Sequence, residues 1–467
     1  MQIPSALVNS LQHVKGFNEK KFKEVHQSGE QVTSVRLNPK KIFNFQSSIF
    51  NTQLEKVPWN SHGRYLPERP SFTLDPLFHA GAYYVQEASS MFLEEALKQA
   101  IDLSKPLKIL DLCAAPGGKS TLIQSIISKE SLLVSNELIK TRVNVLSENI
   151  TKWGADNVIV SNNDPADFQR LENYFDLVVV DAPCSGSGLF RKDPGAIAEW
   201  SENNVEICGR RQQRILADVM PALKEGGVLI YSTCSYSEQE DEAIADWLME
   251  THALSTIRYP LNTAWNIVET LSPRRNAYGY RFYPDKLRGE GFFIAGFRKE
   301  GREMGSGKKQ VGSGERQVVV GGNSSKKLVV SEIEMLKPYL KDTEAFFFIN
   351  QKEEVLAIPL QHKNDLSVLR SALYIRKAGV KLGTVIRNEL IPDHELALST
   401  ILHPSVRRIE TDKDTALQYL RREPIQLETD GPGWALLSYG QLPLGWIKIL
   451  PNRINNYYPA TWRILNK

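Results

Sequence analysis

Five short apolar, β-branched runs alternate with helical ones between residues 107 and 234, and no other feature restricts the fold of this chain as tightly. The runs are LKILDLCA (107–114), SLLVSNE (131–137), NVIVSNND (157–164), FDLVVVDAP (175–183) and VLIYSTC (228–234). All have strand length, and FDLVVVDAP is almost wholly apolar, as a strand covered on both faces must be. Between them lie TLIQSIISK, TRVNVLSENITKWG with Gly154 as its stop, and a helix ending near MPALKEGG. Strand–helix alternation at this spacing predicts a doubly wound parallel α/β sheet. The ligand of such a sheet sits beyond the carboxyl ends of its strands. Asp111, Glu137, Asp164, Asp181 and Cys234 all fall at or just past those ends. Five strands thus deliver polar or reactive groups to one rim.

The stretch DLCAAPGGKS (111–120) joins the first strand to its helix. A glycine-rich turn there lets a ligand approach the backbone and the helix N-terminus. GGKS matches the end of a phosphate-binding P-loop, but the opening glycine of that motif falls on Cys113, and CAAPGG lacks the G-x-G-x-x-G spacing. The remaining option is S-adenosylmethionine on a Rossmann-like methyltransferase sheet. Glu137 then offers two acceptor oxygens to the ribose diol, and Asp164 an acceptor to the adenine amino group. The alternative for each acid is a helix N-cap.

Two cysteines share the rim. Cys184 lies in DAPCSGSGLFRKDP (181–194) and Cys234 in STCS, fifty residues later but on the next strand end. Methylation of oxygen or nitrogen needs no thiol. Carbon 5 of cytosine is a poor nucleophile until something adds to carbon 6, and a thiolate is well suited to that addition. The other two cysteines are Cys113 and Cys208, and no pair has C-x-x-C spacing. Neither a disulfide framework nor a metal site is expected, and Cys208 reads as a small buried residue.

DLCAAPGGKS, DAPCSGSG and STCS, in that order, resemble the signature of the Nop/Sun RNA cytosine-5 methyltransferases. FHAGAYYVQEASSM (78–91) resembles the segment before that family's cofactor domain, SVRLNP (34–39) its N-terminal RNA-binding module, and RFYPDKLRGEGFFIAGFRK (281–299) its strand-rich close. The resemblance implies that Cys234 attacks the pyrimidine and that Cys184 assists breakdown of the covalent intermediate. It implies that Cys113, Ala114, Ala115, Pro116, Gly117, Gly118 and Lys119 line the cofactor together with Glu137, Asp164 and Asp181. Asp181 would also touch the target base, with Lys119 beside it; a cation there favours a thiolate. DNA cytosine methyltransferases use the Pro-Cys thiol as nucleophile instead, and STCS favours the RNA assignment. A base must be unstacked to be reached, and Arg36, Lys192, Arg210, Arg211 and Arg214 are candidate phosphate contacts.

A chain of 467 residues exceeds one ordinary core. We divide it into an N-terminal RNA-binding module (1–75), a methyltransferase domain (76–300), a Gly/Ser/Lys-rich linker (301–328) and a β-rich RNA-binding region (329–467). Net charge is only +3, but residues 298–327 carry eight Lys/Arg against three acids, and the last 37 residues hold four cations and no acid. Either stretch suits an RNA backbone, and either could be a plain solvated face. The tail GQLPLGWIKILPNRINNYYPATWR (440–463) resembles the PUA-like tail of the RsmF branch of the family, as AGVKLGTVIRNELIPDHELALS (378–399) resembles the part before it. This implies 16S rRNA or the small ribosomal subunit as substrate. A tRNA substrate, a non-catalytic pre-rRNA-binding assembly factor and a P-loop nucleotidase are the competing readings. No apolar run is long enough to span a bilayer and no signal peptide is evident, so we expect a cytoplasmic monomer.

Overall fold

The computed structural model describes residues 3–41, 54–301, 330–351, 353–387 and 389–465. Nearly all of the stretch read as a linker lies outside them. Three strands, β1 (Thr33–Leu37), β2 (Gly63–Leu66) and β3 (Tyr83–Val85), form a small antiparallel sheet in the order β2-β1-β3. The helix Glu19–Gln27 precedes it, with the Asn18 side chain accepting from the Lys21 amide as N-cap.

The central sheet contains β4 (Lys108–Asp111), β5 (Leu132–Asn136), β6 (Val158–Ser161), β7 (Phe175–Asp181) and β8 (Leu223–Thr233). They run parallel in the order β6-β5-β4-β7-β8. The chain moves outward from β4 to β6, then crosses back to β7, so the topological switch lies between β4 and β7. Beyond β8 the sheet turns antiparallel through β12 (Phe292–Lys299), β11 (Tyr278–Phe282) and β10 (Val268–Leu271), while β9 (Leu254–Ile257) pairs with the far end of β12. The helices Gly118–Ile126, Lys140–Trp153 and Glu202–Val219 make the crossovers. Leu110, Val134, Ile159, Val178 and Leu229 fill one face of the sheet, and Ile109, Leu133, Val158, Leu177 and Ile230 the other.

The five runs read from sequence are the five parallel strands, with two differences. All five strands stop one to three residues short of the ends of their runs, because those residues turn onto the rim. β8 also starts early: the helix ends at Val219, and Leu223 already pairs with Phe175 across a register shift. KEGG therefore lies within a strand, with Gly226 left-handed at φ +74°.

The edge of β6 is not open. The strand Ile375–Ala378 pairs with it antiparallel, Ile375 opposite Ser161 and Ala378 opposite Ile159. Ile349, Ile358, Leu366 and Leu369 pack into the same core as Phe168, Leu171 and Phe175. Two four-stranded sheets follow, one built from residues 346–392 and one from 408–456. No described helix is long and apolar enough to cross a membrane.

Candidate active site

The loops after β7 and β8 bring the two rim thiols together. Asp181 and Ser232 are paired across these strands, and each chain then turns outward. Cys184 Sγ lies 3.1 Å from Cys234 Sγ, both half-buried and neither in a disulfide. Contact with Cys234, then burial, then the charges of Cys234 and Glu240 hold the Cys184 thiol well above its ordinary pKa. The approach requires glycine. Gly188 donates its amide to the Cys234 carbonyl at 2.9 Å, and a Cβ there would stand 2.5 Å from the Gly291 carbonyl oxygen and 2.8 Å from that of Cys234.

Asp181 closes the other side. Its Oδ2 is 2.7 Å from Lys119 Nζ, and its Oδ1 accepts from Ser232 Oγ at 2.8 Å. Lys119 is 12% exposed and Asp181 35%, so the carboxylate is the accessible half of the pair. Lys119 Nζ also lies 5.2 Å from the Phe292 ring centre.

The turn Cys113–Lys119 is held from behind. Arg142 donates to the Ala115 carbonyl at 2.6 Å, and Asn149 to that of Pro116 at 2.8 Å. Gly117 is left-handed at φ +116°, open to glycine and strained for other residues. Asp111 accepts from Ser120 at 2.7 Å, while its buried Oδ1 has no partner among the described residues; burial raises its pKa to about 7. The Cys113 thiol is pushed up by burial and then by the charges of Asp111, Glu137 and Asp181. Glu137 is buried, accepts from the Ile139 amide at 2.9 Å and has Arg142 3.5 Å away. Such a lining repels a polyphosphate. It fits a ligand with two cationic groups, a sulfonium and an ammonium, and with a diol and an amino group that donate hydrogen bonds, which are groups of S-adenosylmethionine.

Other sequence expectations land differently. Asp164 is the N-cap of the turn Pro165–Arg170, accepts from the Ala166 amide at 3.1 Å and pairs with Arg214 at 3.3 Å. One oxygen thus serves the local turn, and Arg214 is no free phosphate contact. Arg36 is the clear correction. It is 1% exposed, donates to Gln86, Ser125, Thr121 and the Gly118 carbonyl, and lies 4.5 Å over the Trp153 ring. It ties β1 to the helix Gly118–Ile126 and cannot meet a phosphate. Lys192 and Arg211 are exposed, and Arg210, also exposed, is paired with Glu206. Cys208 is buried in its helix, and no metal-ligating cluster exists among the described residues.

Sequence reasoning missed the residues behind the thiols. Glu240 accepts from the Ser185 amide at 2.8 Å, Ser185 Oγ at 2.5 Å, Ser235 Oγ at 2.6 Å and Gln212 Nε2 at 3.2 Å. Thr233 donates to Asp241 at 2.6 Å, and Arg281 pairs with Asp241 and Glu242. The run SEQEDE signals acids near the strand end, but its spacing does not say which turn inward. Glu238 stays at the surface with His13, while Glu240, Asp241 and Glu242 are buried.

Comparison with known proteins places this geometry. Residues 98–298 match the model of the 16S rRNA methyltransferase RsmB/F family, residues 3–88 that of the N-terminal domain of 16S rRNA methyltransferase RsmF, and residues 406–464 that of the methyltransferase RsmF PUA domain. The ribosomal RNA small subunit methyltransferase F of Aeromonas salmonicida is 30% identical over 446 residues, covering 91% of this chain and 90% of the relative. The chain belongs to the RsmF family of rRNA methyltransferases. The Erwinia tasmaniensis RsmF is 29% identical over 448 residues, covering 91% and 89%. A crystal structure of a methyltransferase homolog from Pyrococcus horikoshii is 26% identical, with a TM-score of 0.50 over 64% of this chain and all of that one. NSun6 from the same organism, at 19% identity and a TM-score of 0.52 over 63% and 98%, shares the fold. The final sheet, Arg408–Asn456, lies within the RsmF PUA match.

Proposed function

We propose that this RsmF-family enzyme methylates carbon 5 of cytosine in 16S rRNA through a covalent Cys234–cytosine intermediate. The observation that carries the reading is the pair of thiol sulfurs, 3.1 Å apart, on the rim that also holds the Asp181–Lys119 pair. Glu137, Asp164, Asp181 and the turn Cys113–Lys119 would hold S-adenosylmethionine, which when bound supplies an electrophilic methyl group.

The chain's own residues account for the rest. Asp181, fixed by Lys119 and Ser232, accepts a hydrogen bond from the exocyclic amino group of an unstacked cytosine and orients the ring. The Cys234 thiolate forms a bond to carbon 6, and the ring electron pair moves to carbon 5, the position that becomes methylated. The methylated carbon 5 then gives up its proton to water, that electron pair restores the carbon 5–carbon 6 double bond, and Cys234 leaves as a thiolate. Cys184, held neutral beside it, is placed to assist this release.

The test is transfer of labelled methyl groups to 16S rRNA and to tRNA, with denaturing gels for protein–RNA adducts. Cys234→Ala should abolish label and adduct, whereas Cys184→Ala should accumulate adduct. Continued methylation by Cys234→Ala would overturn the nucleophile assignment, and label appearing only in tRNA would overturn the substrate.

A further inference from the structure

We propose that Glu240 and Gln212 form a buried clasp that holds the Cys184 and Cys234 sulfurs within transfer distance of each other, which makes both of them positioning residues. The inference rests on the two-thiol reading above.

Glu240 reaches both thiol loops at once. Its Oε2 accepts from Ser185 Oγ and from Ser235 Oγ, the residues that directly follow Cys184 and Cys234, and its Oε1 accepts from the Ser185 amide. Gln212, from the helix Glu202–Val219, donates to Glu240 Oε1 at 3.2 Å and to the Pro183 carbonyl at 3.1 Å. Cys184 is thus held on both sides, through Pro183 and Ser185. Tyr231 completes the unit, its hydroxyl lying 3.0 Å from Gln212 Oε1 and 2.6 Å from the Glu240 carbonyl oxygen.

The chemistry of this choice is informative. A carboxyl group that is 0% exposed is costly to bury, and no cation lies in salt-bridge contact with Glu240 among the described residues to offset it. What the carboxylate supplies is acceptor capacity: one of its oxygens bonds hydroxyls from both thiol loops, which an apolar side chain could not do. Shifting either serine by about 1 Å breaks that shared contact, and misplacement on this scale costs on the order of 100-fold in rate. The burial of Glu240 raises its own pKa, and its charge in turn helps to keep the Cys184 thiol neutral.

The test measures thiol placement without RNA. Diamide takes two electrons and two protons from a pair of thiols and leaves a disulfide, and closure is fast only when the sulfurs are held together. Disulfide closure by the full chain is followed by peptide mass spectrometry for the wild type, Glu240→Ala, Glu240→Gln and Gln212→Ala, alongside kcat, KM and the thermal midpoint. Both alanine variants should close the Cys184–Cys234 bond at least 10-fold more slowly. Their kcat should fall by a similar factor, with KM for RNA and cofactor within about 2-fold, and Glu240→Gln should recover part of both. Wild-type closure rates in the folded alanine variants overturn the clasp, as does failure of the wild type to close. Slower closure with unchanged methyl transfer supports the clasp and refutes the two-thiol mechanism. Should Glu240→Ala not fold, Glu240→Gln and Gln212→Ala decide the matter.

Discussion

Replacing Arg36 by methionine separates a structural arginine from an RNA-binding one. Methionine keeps the apolar stem and removes the guanidinium. Five hydrogen bonds are lost, the shortest being 2.8 Å to Gln86 Oε1 and 2.6 Å to Thr121 Oγ1, together with the stacking over Trp153. The Gly118 carbonyl still accepts from Thr121, and the Thr121 carbonyl from Ser125, so Gln86 Oε1 is the acceptor left without a donor. An orphaned buried acceptor costs about 1–3 kcal/mol, and the lost short bonds about 1 kcal/mol each. The ring contact adds about 1 kcal/mol. Relief of desolvation opposes these losses, as the burial that pushes the arginine pKa down to about 9 indicates. The expected net loss is about 3 kcal/mol.

Urea unfolding followed by circular dichroism measures the loss, and the salt dependence of RNA binding measures the alternative. Each phosphate contact contributes about one unit to the slope of log affinity against log salt. Arg36→Met should lower the urea midpoint and leave that slope unchanged. An unmoved midpoint with a slope reduced by about one would refute the structural assignment.

Three further outcomes are expected. Gly188→Ala should lose at least 10-fold in kcat while binding S-adenosylmethionine normally in calorimetry, since its Cβ would force the Gly291 and Cys234 carbonyls apart; wild-type turnover would show that the loops adjust freely. His394, buried with both ring nitrogens unpartnered among the described residues, has its pKa held down to about 3 by burial and by Lys152, Lys41 and His79. Its contribution to stability is therefore complete above the unfolded value near 6.5 and is lost progressively as pH falls from there toward 3. His394→Leu should flatten the fall in unfolding free energy between pH 6.5 and 4.5 by up to about 1.4 kcal/mol per unit, and parallel slopes for the two proteins would contradict a neutral buried ring. A fragment ending at residue 301 should bind the dye ANS strongly or fail to stay in solution, because Phe168, Leu171 and Phe175 lose the cover of Ile349, Leu366 and Leu369; a fragment as stable as the full chain would show that these contacts are dispensable.

How far the sequence could be read depended on whether each decision was local. Strand existence and the rim positions of Asp111, Asp181 and Cys234 were legible, because in a parallel sheet the end of a strand is itself a place in the sequence. The pairing of the two thiols was legible for the same reason, since adjacent strands β7 and β8 end side by side. Arg36 was misread because a cation in a short strand looks the same whether a helix covers it or not. Its burial is decided by Thr121 and Gly118, more than eighty residues away. Among Glu238, Glu240, Asp241 and Glu242 the inward choice is set by one turn, with Asp241 at φ −115° and ψ −98°, a backbone detail that no pattern of charges encodes.

The strand Ile375–Ala378 marks the limit of such reading. Its sequence, IRKA, carries two cations in four residues and offers no sign of a place beside a buried sheet. An edge strand presents unpaired amides and carbonyls, and these accept any backbone of suitable shape. The choice of β6 as its partner therefore cannot lie in IRKA. It follows from the flanking chain, where Leu366 and Leu369 on one side and Val380 and Leu382 on the other are each drawn into a different core. The short segment between them is carried past the β6 edge of the central sheet, and its backbone pairs with it.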